Sequence, residues 1–166
     1  MTLADFNAAD TETASQALAR CCSCRRWVEA LVQGRPYADL EALRDAADRV
    51  WTTLGDDDYL EAFAGHPQIG DMDSLHGKSA ETRSLAAQEQ AGVLGADDAI
   101  LRELAHCNAE YFRRFGFIFI VCASGRSVEE MLHLMQSRMA HSRHEEIAIA
   151  AEEQRRIFHR RIGQLL

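Results

Sequence analysis

Proline, long apolar runs and positive charge are all scarce in this sequence. Only two prolines occur among the 166 residues, so few positions force a helix to end. No apolar run approaches the roughly 20 residues of a membrane span, and Met1 to Asp5 lacks the basic-then-apolar order of a secretory signal. We therefore expect a cytoplasmic protein that does not span a membrane.

The shortage of basic residues argues against two classes of partner. Lysine and arginine number 18 and aspartate and glutamate number 26, which gives a formal net charge of −8. Nucleic acids and anionic membrane surfaces both require a basic protein surface. We expect neither as a partner, and a bound anion would have to meet local positive charge.

The cysteines match neither a disulfide framework nor a zinc site. They are Cys21, Cys22, Cys24, Cys107 and Cys122. Their odd number and irregular spacing differ from those of stapled secreted domains, and no second Cys-x-x-Cys pair is present. His141 and His144 have the spacing of a metal site on one helix face, but no helix supplies an obvious pair to complete it. We expect reduced thiols and no metal.

Apolar residues recur at three and four positions along most of the chain, which is typical of α-helices. Capping residues and glycines divide this pattern into segments. The predicted helices cover 12–33 as one or two helices, 39–54, 56–64, 82–94, 97–115, 127–138 and 142–165. A length of 166 residues with 47% hydrophobic content suits one domain with its own core. We therefore predict an all-α fold with a single compact domain over residues 1–166.

One stretch breaks the helical pattern. Phe115 to Ala123 is rich in aromatic and β-branched residues and is followed by Ser124-Gly125. It is either a buried extended segment or part of a core helix. If it is extended, no neighbouring strand satisfies its amides, which then bind a ligand, water or side chains.

Two polar residues fall on predicted apolar helix faces. The face of the helix before residue 116 consists of Leu101, Leu104, Asn108, Tyr111, Phe112 and Phe115. Asn108 there is more typical of a satisfied interior amide than of a ligand group. In the last helix, Arg161 follows Ile157 on the inward face. Its guanidinium either extends to solvent or binds an anion or carbonyl.

The segment from Gly65 to Asp71 places His66 at a break between two helices. Unpaired carbonyls at the end of the preceding helix favour the imidazolium form, which can deliver a proton near neutral pH. Pro67 restricts His66 to extended backbone angles. The alternative is a histidine that merely completes a turn. The polar stretch 70–79 that follows predicts a loop that passes over a site or is mobile.

Four separated blocks, taken together, resemble one family. They are Phe63 to Gly70, Glu89 to Gly92, Asn108 to Phe117, and Arg155 to Ile162. In this order they are similar to the 2-oxo-4-hydroxy-4-carboxy-5-ureidoimidazoline (OHCU) decarboxylases of urate degradation. The resemblance extends from about Phe6 to Leu166, and the loop 35–40 also fits it.

The resemblance implies a cofactor-free, all-helical enzyme, usually a homodimer, that converts OHCU to (S)-allantoin and CO2. It implies His66 as the catalytic acid and Glu89 as its partner. The substrate contacts that it implies are Pro67, Ala86, Ala87, Gln88, Glu89, Gln90, the backbone of Phe119, Ile120, Val121, Cys122 and Ala123, and Arg161. Ala86 stands where the family commonly has serine, and Ser84 lies in a different helical register.

Two other functions fit the residues less well. One is a helical interaction module without catalysis, in which the apolar faces serve association. The other is a different enzyme: either a metal-dependent hydrolase that uses histidines and acidic residues, or a related lyase or hydrolase that acts on another ureido compound. Neither accounts for the ordered set of blocks.

Overall fold

A computed structural model of the protein describes residues 1–70, 88, 91–93 and 96–166. Most of the predicted loop 70–79 and of the predicted helix 82–94 lies outside these residues. Within them Gln88 is helical, Ala91–Val93 forms a 3-10 helix, and no β-strand is found. The predicted all-α class is confirmed.

The α-helices of the described residues are mostly those that the pattern predicts. They are α1 (Leu3–Ala8), α2 (Thr11–Cys21), α3 (Arg25–Gln33), α4 (Leu40–Trp51), α5 (Asp56–Ala64), α6 (Asp98–Phe115), α7 (Val128–Arg138) and α8 (Arg143–Leu165). The predicted segment 12–33 is two helices, and α1 is an addition to the prediction. No helix in the described ranges is long and apolar enough to cross a membrane.

Local hydrogen bonds at the helix starts explain why these boundaries can be predicted from the sequence. The Asp39 carboxylate accepts the Ala42 N–H at 2.7 Å at the start of α4. Ser127 and Glu130 form a reciprocal capping box on α7. Ser142 and Glu145 do the same on α8, at 2.8 and 3.3 Å. Each bond satisfies an N–H group that the helix itself leaves without a partner.

The chain divides into two compact units, and the first comprises Met1–Gly65 and Gln154–Leu166. Its core is built on three aromatic side chains. The Trp27 and Phe158 rings lie 5.0 Å apart between centroids, and Trp51 and Phe158 lie 5.5 Å apart. The buried Trp27 indole donates to the Ala47 carbonyl at 3.1 Å, so α3 and α4 are joined by a polar contact within the apolar core.

The second unit is His66–Glu153. Its core contains Tyr111 and Phe115 from α6 and two phenylalanines from the segment that follows, Phe117 and Phe119. The Tyr111 ring lies 4.6 Å from Phe115 and 5.3 Å from Phe119, measured between centroids. Residues 117–123 are neither helical nor paired with a strand in the described residues, so the predicted irregular apolar segment is confirmed.

The prediction of the apolar face of α6 is wrong at one residue, Phe112. Phe112 is 50% exposed, whereas Leu104, Asn108, Tyr111 and Phe115 are buried. One residue step turns an α-helix by about 100°, which carries Phe112 past the edge of the stripe that runs through Tyr111. An aromatic residue next to an apolar stripe fits the same periodicity. The sequence pattern alone therefore did not distinguish the exposed Phe112 from the buried Tyr111.

Candidate active site

The helix end before His66 is held by a serine from the cysteine-rich stretch. Helix α5 stops at Gly65, and the Ser23 hydroxyl lies 3.2 Å from the Ala62 carbonyl oxygen and 3.3 Å from that of Glu61, to which it donates. A Cβ at Gly65 would lie 2.7 Å from the Ser23 Cβ. Ser23 therefore satisfies carbonyls at the end of α5 that the helix leaves open, and it leaves room only for glycine.

His66 itself forms a bend directly after this helix end and is partly buried, and the next residue, Pro67, is buried. The turn is anchored to α6 within the second unit. Asn108 is 4% exposed, and its Nδ2 donates to the Ile69 carbonyl at 2.8 Å. The prediction of Asn108 as an interior amide is confirmed for that nitrogen.

Gly70 closes the turn in a conformation that glycine alone adopts readily. Its φ is +81°, and a Cβ there would lie 2.7 Å from Leu104 Cδ2. Both the left-handed backbone and the contact with Leu104 disfavour a side chain. The turn that carries His66 is thus pressed against α6 at Gly70 and hydrogen-bonded to it at Ile69, which restricts where the imidazole can lie.

The irregular segment contributes backbone groups rather than side-chain chemistry. Phe119, Ile120, Val121 and Ala123 are at most 5% exposed, and Cys122 is partly buried. Two helices bind its backbone through side chains. Arg138 Nη1 donates to the Ile120 carbonyl at 2.9 Å, and the Cys122 N–H donates to Glu153 Oε2 at 2.7 Å. Of the three partners expected for these amides, namely a ligand, water or a side chain, the Cys122 amide has a side chain.

Arg138 belongs to a buried polar network. Its guanidinium forms an ion pair with Glu146, and the two side chains are 7% and 0% exposed. The Tyr111 hydroxyl donates to the same carboxylate, and His141 Nδ1 lies 2.9 Å from Glu146 Oε2. Burial is the main cause of a strongly raised pKa of Tyr111, so its hydroxyl stays a donor.

Arg161 is 6% exposed, so its guanidinium does not extend to solvent. Within the first unit its Nη1 donates to the Arg20 carbonyl at 3.1 Å, near the end of α2. A cation is favourable at a helix C-terminus, where carbonyls lack partners. The inward direction predicted from the spacing is confirmed, and part of its bonding is to the protein itself.

The crowded cysteines are buried thiols in the first unit. Cys21, Cys22 and Cys24 are each at most 1% exposed, and all are free. Burial raises the pKa of Cys22 to about 12, although a backbone hydrogen bond from Cys24 opposes the rise. A thiol with so little thiolate is a poor nucleophile and a poor target for oxidation.

One group of possible metal ligands occurs in the described residues, formed by Cys24, Asp58 and Glu61. Its carboxylates already have protein partners. Asp58 forms an ion pair with Arg26 at 2.6 Å, and Glu61 accepts the Arg25 N–H at 3.3 Å. These contacts fasten α3 to α5, and they explain the acidic residues without a metal.

Four predicted site residues lie outside the described residues: Ala86, Ala87, Glu89 and Gln90. So does Ser84. Gln88 is described and is exposed. His66, Pro67 and the segment 119–123 belong to the second unit, and Arg161 belongs to the first.

Sequence reasoning missed Ser23, Arg138 and Glu153 as residues that hold the candidate site. For Arg138 a signal existed, because it follows Met131 and Met135 on the buried face of α7, where a cation needs a partner. Ser23 offered no signal, since its partners are 38 and 39 residues away along the chain.

Comparison with known families matches residues 7–163 to OHCU decarboxylase. The chain belongs to the OHCU decarboxylase family. The match includes all four sequence blocks and the whole of both segments, 66–70 and 117–123, that form the described part of the site. The predicted family is therefore confirmed.

Family relatives occur alone and as parts of longer proteins. The uric acid degradation bifunctional protein TTL of Arabidopsis thaliana is 35% identical over 145 residues, which are 87% of this chain and 45% of that protein. PucL of Bacillus subtilis, also bifunctional, is 24% identical, with 99% of this chain and 33% of that protein covered. The chain thus spans less than half the length of these two relatives. The OHCU decarboxylase of Amia calva is 29% identical, with 82% and 78% covered.

Solved structures agree with this family assignment. A crystal structure of an OHCU decarboxylase in the presence of (S)-allantoin matches with a TM-score of 0.76 and 31% identity, and the match covers 95% of this chain and 98% of that one. A crystal structure of (S)-allantoin synthase matches with a TM-score of 0.72 at 17% identity, covering 100% of this chain and 54% of that one. The second likeness concerns the fold alone.

Proposed function

We propose that this protein decarboxylates OHCU to (S)-allantoin and CO2 in urate degradation, without a cofactor. The observation that carries the proposal is the family match over residues 7–163, together with a 31% identical structure that aligns along nearly its whole length. The anchored His66 turn and the buried segment 119–123 support the same conclusion, because they supply an imidazole and backbone amides in the second unit.

The chemistry requires three things of the site. Loss of CO2 leaves an electron pair on carbon, so the reaction needs an electron sink, a proton delivered to one face and donors for the charge that develops. The ring double bond beside the carboxylated carbon is the sink, and its conjugation with the ring carbonyl carries the charge to that oxygen as an enolate-like anion. His66 is the general acid, and backbone N–H groups of the segment 119–123 are the donors to the enolate oxygen.

The remaining site residues hold the substrate. Glu89 orients the His66 imidazole and the substrate hydroxyl, and Gln90 pairs its amide with the ureido arm. Arg161, which the family resemblance implies as a substrate contact, binds a polar group of the substrate through its guanidinium. A fixed acid on one face accounts for both the rate and the chirality of the product.

The test follows allantoin by circular dichroism from freshly generated OHCU. Because OHCU also decays without a catalyst, the chirality of the product is the sharper measurement. We expect His66→Asn to lower kcat at least about 100-fold and to abolish the excess of the (S) product. We expect Glu89→Gln to lower kcat at least about 10-fold, since the imidazole loses its anionic partner.

His106→Asn is the matched control, because the His106 side chain is 64% exposed on α6 and lies 3.6 Å from Glu110. It keeps the wild-type rate.

Full stereospecific activity in the His66 or the Glu89 variant would remove that residue from the mechanism. A wild-type protein that neither speeds the reaction nor biases its chirality would favour the interaction module, and loss of activity with chelators would favour a metal-dependent enzyme.

We also propose that the protein forms a homodimer. Homodimers are what the family resemblance implies, and Phe112 is a large aromatic residue left 50% exposed on α6. Burial of such a side chain against a second copy would contribute to association.

A further inference from the structure

The polar contacts to the irregular segment involve alternate residues. Arg138 Nη1 donates to the Ile120 carbonyl at 2.9 Å. The Cys122 N–H donates to Glu153 at 2.7 Å, and the Cys122 carbonyl accepts from Arg126 Nε at 3.2 Å. Charged side chains thus bind the backbone at 120 and 122, and no such contact is found at 119 or 121 in the described residues.

This alternation indicates an extended backbone with two different edges. In an extended chain the N–H and C=O of one residue point to the same edge, and those of the next residue point to the opposite edge. The edge of Ile120 and Cys122 is therefore the one that the helices bind. The opposite edge carries the N–H groups of Phe119, Val121 and Ala123.

The N–H groups of this second edge have no acceptor among the described residues, although Phe119, Val121 and Ala123 are only 2–5% exposed. Buried N–H groups nearly always have a partner, because an unsatisfied one costs the free energy of its lost hydration. Since no described residue accepts from them, their acceptor is water or a ligand. An oxygen of a ligand is an acceptor of the right kind.

Arg138 is a buried cation whose guanidinium is bound on several sides. Its Nε and Nη2 face Glu146, its Nη1 faces Ile120, and its Cζ lies 4.5 Å from the centroid of the Phe119 ring. A buried ion pair is costly to desolvate and is weak evidence for added stability. What this network does achieve is to fix one backbone segment, because the rigid guanidinium joins Glu146 to Ile120.

We propose that Arg138 and Glu153 are positioning residues for the reaction. They hold the edge of Ile120 and Cys122, so that the N–H groups of the opposite edge point at an oxygen of the substrate, a cyclic ureide. The inference rests on the proposed function and deepens it. Without these two side chains the segment can rotate, and its amides then miss the developing oxyanion.

The first test replaces Arg138 by lysine in the full-length protein. Lysine keeps the charge opposite Glu146, but it lacks the planar fork that reaches the Ile120 carbonyl at the same time. We expect kcat for OHCU to fall about 10- to 100-fold with a smaller change in KM, since complete removal of one oxyanion donor costs about 100-fold or more and this variant only displaces the donor. Arg155→Lys is the matched control, because Arg155 makes a two-bond pair with Asp48 in the first unit. It keeps the wild-type kcat.

A second measurement separates positioning from folding. Hydrogen exchange of residues 119–123 is measured by mass spectrometry with and without (S)-allantoin, well below the melting temperature. We expect allantoin to protect this segment in the wild type and in Arg155→Lys, and much less in Arg138→Lys. Folded Arg138→Lys with wild-type kcat and wild-type protection would overturn the inference.

A pair of Glu153 variants covers the case in which Arg138→Lys does not fold. Glu153→Gln keeps an oxygen that can accept the Cys122 N–H, and Glu153→Met does not. We expect the glutamine variant to keep most of kcat and the methionine variant to lose at least about 10-fold. Equal kcat in both would overturn the role of Glu153. A wild type that makes no excess of (S)-allantoin refutes the proposed function, whereas an active wild type with unaffected variants refutes only this inference.

Discussion

Glycine at position 65 is required by a neighbouring side chain and not by its backbone angles. Its φ is −72°, which any residue adopts. The space where a Cβ would lie is taken by Ser23, whose Cβ would be 2.7 Å away. Because Ser23 is itself bonded to the carbonyls at the end of α5, it cannot move without loss of those bonds. The start of the His66 turn thus depends on a close contact.

We expect Gly65→Ala to lower the free energy of unfolding by about 1–3 kcal/mol, the usual cost of a group forced into a filled space. Urea denaturation measures it. Gly55→Ala is the control, because nothing lies within 4 Å of a Cβ at that position. We expect this control to lose less than about 1 kcal/mol of unfolding free energy, because alanine is only a poorer N-cap residue than glycine. Equal losses in the two variants would contradict the close-contact argument.

At the scale of elements, α8 is fastened to α4 within the first unit by an ion-pair cluster. Arg155 donates to both oxygens of Asp48 at 2.8 and 2.7 Å, and His159 Nε2 lies 2.6 Å from Asp48 Oδ1. Burial opposes ionisation of Asp48, but the hydrogen bonds from Arg155 and His159 outweigh it and lower the pKa of the carboxyl.

The lowered pKa predicts how stability depends on pH. An unfolded aspartate has a pKa of about 3.9, and the folded pKa of Asp48 lies below that value. The cluster therefore contributes stability that is present above about pH 4 and is lost as the pH falls through the folded pKa. We expect Asp48→Asn to cost about 1 kcal/mol at pH 7, and the difference from wild type to shrink below about pH 3.

Urea denaturation from pH 2 to pH 7 tests this expectation. Asp45→Asn is the control, because Asp45 is exposed on the same helix. It changes the free energy of unfolding by less than about 0.5 kcal/mol across the range. A pH-independent difference between wild type and Asp48→Asn would show that the carboxylate charge is not the source of the stability.

At the scale of the whole molecule, the net negative charge opposes the association of two copies of the chain. Each chain carries a formal net charge of −8, so two copies repel each other at low salt. If the proposed homodimer forms, screening by salt weakens this repulsion. We expect light scattering to give a molar mass near twice 18.6 kDa, and the dimer fraction to rise with ionic strength. The mass of one chain at every protein and salt concentration would rule the dimer out.

Family membership and the all-α class were predictable from residues alone, because the signals are local. Capping residues at Asp39, Ser127 and Ser142 satisfy helix N–H groups within three positions. The blocks around His66 and Asn108 are contiguous motifs. Cytoplasmic location, a single domain over 1–166, and the roles of His66 and Glu89 stay predictions.

The contacts that hold the candidate site required the tertiary structure. Ser23 reaches Ala62 across 39 residues, Glu153 reaches Cys122 across 31, and Arg138 reaches Ile120 across 18. Helical periodicity specifies which face of an element is apolar, and it carries no information on which distant polar group that face meets. The sequence by itself therefore determined the helices, the family and the candidate acid. Only the packing of those helices decided which backbone edge of 119–123 the side chains of Arg138 and Glu153 bind.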